Sequence, residues 1–210
     1  MIDWHNWLHM LVGLVVIVNP LLAISAFAAL SGAENPVQRR STAQRAALTV
    51  ALVLTLAALG GQTLLRLFDI SVPSFQVGGG ILILLMAIAM MHARSSDARH
   101  TREEAVEAQD KEEVGVVPLG IPLLAGPGAI STVIIYTQST TGWLHNAVLV
   151  TEIWLVAGLV WLALLLGEEL TRLLGQTGIN IATRVMGLLL AAIAVGFVTQ
   201  GLKALLPGLA

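Results

Sequence analysis

Charged residues divide this chain into six apolar stretches. They are Leu8–Leu30, Ala46–Leu65, Ile70–Met91, Val114–Thr141, roughly Ala147–Gly167 and roughly Val185–Leu206. An α-helix needs about 20 apolar residues to cross the hydrocarbon core of a bilayer, and each stretch meets that length. The pattern predicts an all-α polytopic membrane protein with six transmembrane helices. Lys203, near the end of the sixth, can snorkel to the surface.

Two of the six stretches carry residues that a plain membrane helix does not need. In the fourth, Ile121–Thr132 reads IPLLAGPGAIST. Pro122 and Pro127 each remove a backbone donor and push on the carbonyl four residues back. Gly126 and Gly128 let the chain leave helical dihedrals at little steric cost. The first stretch has Asn19-Pro20 in a comparable place. Both helices are expected to break partway through the membrane, where irregular backbone survives only if buried in protein or lining a wet cavity.

The two sites share a tetrapeptide, Pro20-Leu21-Leu22-Ala23 and Pro122-Leu123-Leu124-Ala125, and each is followed by Ala-Ile-Ser, at Ala23–Ser25 and Ala129–Ser131. A charged segment separates the third stretch from the fourth and divides the spans three and three. With an odd number of spans per half, the second half enters from the opposite side. The expected organisation is therefore an inverted repeat: residues 1–93 as the first three-helix unit, 94–113 as a charged cytoplasmic linker, and 114–210 as the second unit. The linker carries seven acids and reads as a solvated connection. Paired interrupted segments in corresponding places of two halves are the best sequence pointer to a transporter's binding site.

Composition narrows the function. The chain of 210 residues is 56% hydrophobic and 11% charged, whereas charged residues are about a quarter of an ordinary soluble domain. A net charge of −2 gives no reason to expect a nucleic-acid partner. There is no cysteine, hence no disulfide, thiolate metal site or cysteine nucleophile. The N-terminus, MIDWHNWLHM, lacks the basic residues of a secretory signal, so the first stretch is expected to be retained. Nine of the eleven basic residues fall in loops that share one side when both termini are outside, which predicts an N-out, C-out orientation. Trp4, Trp7 and Trp143 then sit at outer span ends, as an aromatic belt requires, while Trp154 and Trp161 are expected to be packing residues.

The breaks supply the candidate chemistry. A half-helix starting after Gly126-Pro127-Gly128 presents unpaired N–H groups and the positive end of a dipole, an anion site to which Ser131 and Thr132 can add hydroxyls. At the other break Pro20 leaves the Val16 carbonyl without its donor, Asn19 offers both donor and acceptor, and Ser25 lies one turn on. N–H groups at one site and carbonyls at the other suit a small zwitterion. Gly78 and Gly79 can let the third span approach a broken helix. Glu152, inside the fifth span, is a candidate coupling group for H+ or Na+. His5 and His9, four apart, lack a third ligand, so no metal is expected. No serine has a visible histidine–acid arrangement, and no HExxH or phosphate-binding glycine loop with lysine occurs. Neither an enzyme nor a resident cofactor is expected.

These residues resemble the MarC family of bacterial inner-membrane proteins. GPGAIST at Gly126–Thr132, preceded by IPLLA, is similar to that family's most distinctive motif. Asn19-Pro20 matches its first-span Asn-Pro, with Phe27 at the expected place downstream. Phe75 with Gly79-Gly80-Ile81-Leu82, and Arg184-Val185-Met186-Gly187-Leu188, are similar to other family blocks, so the likeness covers nearly the whole chain. It departs at Leu22 and Ser25, where the family usually has a glycine and a second proline, and at Gly196, where it often has glutamine. The resemblance implies six spans, a bacterial inner-membrane location and, for some relatives, transport of small neutral amino acids such as alanine and glycine.

The expected function is a secondary transporter of that class, working by alternating access, with a small zwitterionic solute and the bilayer as partners and oligomerisation left open. The alternatives are an exporter or permease for another small solute, favoured by a wide apolar cavity, and a non-transporting scaffold or regulatory subunit, which predicts a closed, dry bundle.

Overall fold

The computed structural model describes residues 4–31, 35–92, 120–121, 124–139, 142–206 and 208. The expected linker 94–113 lies outside the described residues. Among those described there are seven helices and no strand: α1 (Trp4–Val18), α2 (Pro20–Leu30), α3 (Pro36–Leu67), α4 (Val72–Met91), α5 (Pro127–Ser139), α6 (Trp143–Leu165) and α7 (Gly167–Leu205). Five stretches of the described residues are long and apolar enough to cross a membrane: Asn6–Ala28, Pro36–Leu67, Val72–Met91, Trp143–Leu165 and Thr177–Leu205. The fourth expected span is represented mainly by α5, whose 13 residues cover only about 20 Å.

Local chemistry sets the helix boundaries. Asn19 separates α1 from α2 with φ 53 and ψ 71. Asparagine tolerates this left-handed region better than other side-chain-bearing residues. Its Oδ1 accepts from the Leu22 N–H at 3.4 Å and so caps α2, while Pro20 takes the first helical position, where its missing donor costs nothing. Gly126 holds the corresponding position ahead of Pro127, without a side-chain cap: the first bond of α5 runs from the Ile130 N–H to the Gly126 carbonyl, 3.1 Å. Asn35 and Gln38 form a reciprocal capping box at the start of α3. Gly142, at φ 142, precedes α6, which begins a full turn before the expected Ala147. Gly175, at φ 65 and ψ 171, interrupts α7 and starts its membrane segment earlier than the expected Val185.

The Asn6–Ala28 segment lies at the centre. Inside the bundle, 65% of its most apolar stretch is buried, against 22–39% for the other four spans. α3 packs on α5 and α6, α5 also on α4, and α6 on α1 and α2. The outer faces present leucines such as Leu52, Leu56, Leu85, Leu155, Leu162 and Leu188, as a lipid-facing surface should. Trp161 packs against the core, but Trp154 is about half exposed and belongs to that outer surface.

The most extensive contact joins α4 and α7, which run antiparallel. Small residues make it close. Gly80 lies against Ala194 and Val198, Gly187 against Ala87 and Met90, and Gly201 against Pro73 and Val77. A Cβ on Gly201 would come within 2.7 Å of the Pro73 carbonyl, whereas one on Gly78 would meet nothing within 4 Å. Gly201→Leu is therefore expected to destabilise the protein by about 1–3 kcal/mol, the usual cost of overpacking. Gly78→Leu should leave stability unchanged. Thermal unfolding of both variants in detergent checks the contrast, and equal losses would contradict this packing.

Candidate functional site

The two internal helix starts meet the same face of α4. The Asn19 side chain is 1% exposed, and its Nδ2 donates to the Met90 thioether at 3.6 Å. Gly128, at the start of α5, is so close to α4 that a Cβ there would stand 3.1 Å from the Met86 sulfur and 3.2 Å from Ile83. Met86 and Met90 are one helical turn apart, so they share a face and draw both starts to one level of the bundle. Gly79 comes down on Ser131 of α5, where a Cβ would be 2.9 Å from the Ser131 Cβ.

These contacts sort the expected site residues. Asn19, Gly128, Ser131 and Gly79 are buried together around α4 and α5. Thr132 is fully buried, but its Oγ1 donates back to the Gly128 carbonyl at 2.8 Å, within its own helix. Gly126 is buried, Pro127 exposed and Pro20 half-buried. Ser25 lies on α2, but its side chain is outside those described. Gly78 does not join the group. Successive helix residues are rotated by about 100°, so Gly79 and Gly80 face α5 and α7 while Gly78 faces outward. Gly196, where the resembling family often has glutamine, has open space around it.

A cavity of about 860 Å³ opens above this level. α1, α5, α6 and α7 line it, with Met10, Val16, Ile135, Val148, Ile193 and Phe197 among its apolar residues and Asn6, His9, His145 and Gln200 among its polar ones. Tyr136 stands at its floor. The ring packs edge-on against Phe197, centroids 6.1 Å apart, and the hydroxyl lies against Gly13 of α1. His145 Nε2 is 2.8 Å from the Tyr136 carbonyl and ties α6 to α5 at the same place. Gln200 accepts from Gln76 Nε2 at 3.1 Å across the α4–α7 seam.

Helical spacing relates the cavity to the buried polar residues. Val16 lines it and Asn19 is about one turn further along; Ile135 lines it and Ser131 is one turn further; Val148 lines it and Glu152 is one turn further. Asn19, Ser131, Thr132 and Glu152 are four of the six buried polar residues among those described. They form a polar layer just under an apolar-walled vestibule. Glu152 is 0% exposed, and neither carboxyl oxygen has a hydrogen-bond partner among the described residues.

The opposite end holds packed side chains beside a smaller cavity of about 290 Å³ lined by Ala28, Gly167, Glu168, Thr171 and Arg172. Phe27, 1% exposed, lies under the Arg39 guanidinium, 5.3 Å from the ring centroid, and Arg39 pairs with Glu168. Ile24 of α2 packs against Gly167.

Sequence reasoning missed Tyr136, Phe197, His145, Met86 and Met90. One signal was available: Tyr136 is the chain's single tyrosine and falls inside the charge-free run, one turn after Thr132. The methionines and Phe197 look like ordinary core residues in sequence.

The chain has no cysteine, so it is its own background for labelling. Val148→Cys and Ala192→Cys, on the cavity wall, are expected to react with a membrane-impermeant maleimide from one side only. Ile153→Cys and Val160→Cys, fully buried on α6, should not react. Equal labelling at the four positions would exclude the vestibule.

Residues 4–206 match the MarC family integral membrane protein model. The UPF0056 membrane protein YhcE of Escherichia coli is 36% identical over 207 residues, covering 99% of this chain and 96% of that protein. A UPF0056 membrane protein of Buchnera aphidicola is 34% identical over 207 residues, with 99% and 96% covered. YvbG of Bacillus subtilis, also a UPF0056 membrane protein, is 32% identical over 200 residues, with 95% of each chain covered. No solved structure matches this chain. A full-length match to the family model and full-length relatives above 30% identity agree with the multi-pass apolar helices: this chain belongs to the MarC family of integral membrane proteins.

Proposed function

We propose that this protein is a secondary transporter of small neutral amino acids, of the alanine and glycine class, working by alternating access between two inverted halves. The observation that carries the reading is the vestibule that stops one helical turn short of a buried polar layer built on two internal helix starts. A scaffold has no use for such an arrangement, because irregular backbone at membrane depth is tolerated only where protein or a wet cavity covers it.

Packing supports the inverted repeat. Matching α1 and α2 with α5 and the segment before it, α3 with α6, and α4 with α7 makes the contact pattern self-consistent. α4 packs on α7 and α3 on α6, each against its own counterpart. α5 packs on α3 and α4, while the α1–α2 segment packs on α6 and α7. That is the exchange a two-fold axis in the membrane plane would produce.

The ends of the breaks suit a zwitterion. Pro127 has no N–H and the first bond of α5 belongs to Ile130, so the Gly128 and Ala129 amides have no acceptor within the helix. They suit a carboxylate, and Asn19 Nδ2 can join them, since a thioether is a weak acceptor that a solute oxygen displaces. At the end of α1, Pro20 cannot donate to the Val16 carbonyl, which leaves that end of the helix to an ammonium group. Basic loop residues support an N-out, C-out orientation in the bacterial inner membrane. The vestibule then faces outward, while Phe27 and the Arg39–Glu168 pair close the cytoplasmic side.

One observation favours a second reading. The vestibule walls are largely apolar, which suits an exporter or permease of a more hydrophobic small solute.

Counterflow of radiolabelled alanine and glycine in proteoliposomes, without an ion gradient, separates the readings. Exchange is expected in the wild type and is expected to be lost in Gly128→Leu and Asn19→Ala that remain monodisperse in detergent. No exchange of either amino acid by folded wild-type protein would turn the assignment to the apolar solute. Exchange unchanged in both variants would remove the helix starts from the site.

A further inference from the structure

Glu152 is the least comfortable side chain in the bundle. It sits on the face of α6 that also buries Leu149, Ile153 and Val156. It is wholly shielded, and both oxygens lack partners among the described residues. A bare carboxylate in such a place costs several kcal/mol or more. It must hold either a proton or a cation.

The neighbouring elements decide between them. α2 has no ionisable residue. Those of α3 are Arg39, Arg40, Arg45 and Arg66, all near its two ends. On α7, Glu168, Glu169, Arg172, Arg184 and Lys203 are exposed. α1 places His9 on the vestibule, and α6 itself places His145 there. α5 contributes Tyr136, within electrostatic reach of Glu152. No lysine or arginine among the described residues is buried, so none of those described sits beside the carboxyl in its buried place. No three acids or histidines of the described residues gather around a metal ion, so a cation at Glu152 would need further oxygens from backbone or hydroxyl groups. A proton needs only the carboxyl.

We propose that Glu152 carries the proton of the transport cycle, loading it from the vestibule that Val148 lines one helical turn away. The assignment rests on the carrier reading above and names its coupling ion as H+. In the vestibule-open state the carboxyl holds the proton as a neutral acid. When the other side opens, the O–H bond breaks, the proton passes to water there, and a carboxylate remains until the next proton arrives.

Two measurements test this. Infrared difference spectroscopy of the full-length protein in lipid reads the carbonyl stretch of a protonated, buried carboxyl. The wild type and Glu152→Asp should show this band at neutral pH, and Glu152→Gln should lack it. Absence of the band in the wild type, or its persistence in Glu152→Gln, overturns the proposal. Glu152→Gln keeps the shape and neutrality of the protonated acid and is expected to fold. In proteoliposomes, an inward proton gradient should accelerate alanine uptake by the wild type, and uptake by Glu152→Gln should fall to the rate seen without a gradient. The two readings fail separately. A Glu152-dependent band without alanine counterflow sinks the carrier assignment and leaves the proton site standing. Counterflow with gradient-driven uptake unchanged in Glu152→Gln sinks the proton site and leaves the carrier.

Discussion

Inside a bilayer no water is available to satisfy a stray peptide group, so wherever the backbone leaves helical bonding the rest of the protein must cover it. Asn19 and Gly126 are two such places, and much of the bundle can be understood as their cover. Asn19 supplies one bond from its own side chain and takes the left-handed dihedrals that a β-branched residue would resist. Gly126 has no side chain and cannot cap, so its surroundings must approach more closely. That closeness appears as small residues at the contacts. Gly128 admits Met86, Gly79 admits Ser131, and Gly61 of α3 admits Ile134. The α4–α7 seam, with Gly80, Gly187 and Gly201, then holds α4 where both helix starts need it.

Helix ends were legible in the sequence because they depend on local chemistry. Proline lacks a donor, glycine lacks a Cβ, and asparagine competes for backbone groups wherever the chain runs. The rotation of each helix about its axis was not legible. These helices are apolar all round, so no hydrophobic stripe fixes which face turns inward. Gly78, Gly79 and Gly80 are indistinguishable as letters, yet one faces the outside of the bundle, one faces α5 and one faces α7. The same ambiguity covers Glu152. From sequence it could be an interfacial carboxylate at a misplaced boundary, and its depth followed only once α6 was seen to begin at Trp143. The vestibule was hidden for a related reason: much of its wall is Val, Ile, Leu and Met, the residues of any membrane core.

The repeated tetrapeptide also proved less informative than its length suggests. Pro20 is the first residue of α2, but α5 begins at Pro127, five residues after Pro122. Aligning the helix starts places Ala23-Ile24-Ser25 within one residue of Ala129-Ile130-Ser131. The shorter match is therefore one residue out of step with the helix starts, and the longer PLLA match is five residues out. Position relative to the helix start decides which amides are free, so it is the register that chemistry would preserve.

The polar layer is the strongest argument that this bundle does more than span a membrane. Asn19, Ser131, Thr132 and Glu152 come from three separate segments and lie at a similar depth below one cavity. Thr132 satisfies itself within α5 and costs little. Asn19 spends its amide on a thioether, a poor exchange for a group that could bond water or carbonyl. Glu152 bonds nothing among the described residues. A buried donor or acceptor left unmet costs about 1–3 kcal/mol, and a leucine or methionine in place of Glu152 would avoid that cost. Stability alone would therefore select against Glu152, whereas Asn19 also caps α2 and takes its left-handed dihedrals. On the proposed transport reading, an oxygen entering from the vestibule would give the Asn19 amide a better acceptor than a thioether, and a proton would neutralise the Glu152 carboxyl. Both groups would then gain from an occupant that is held and afterwards released.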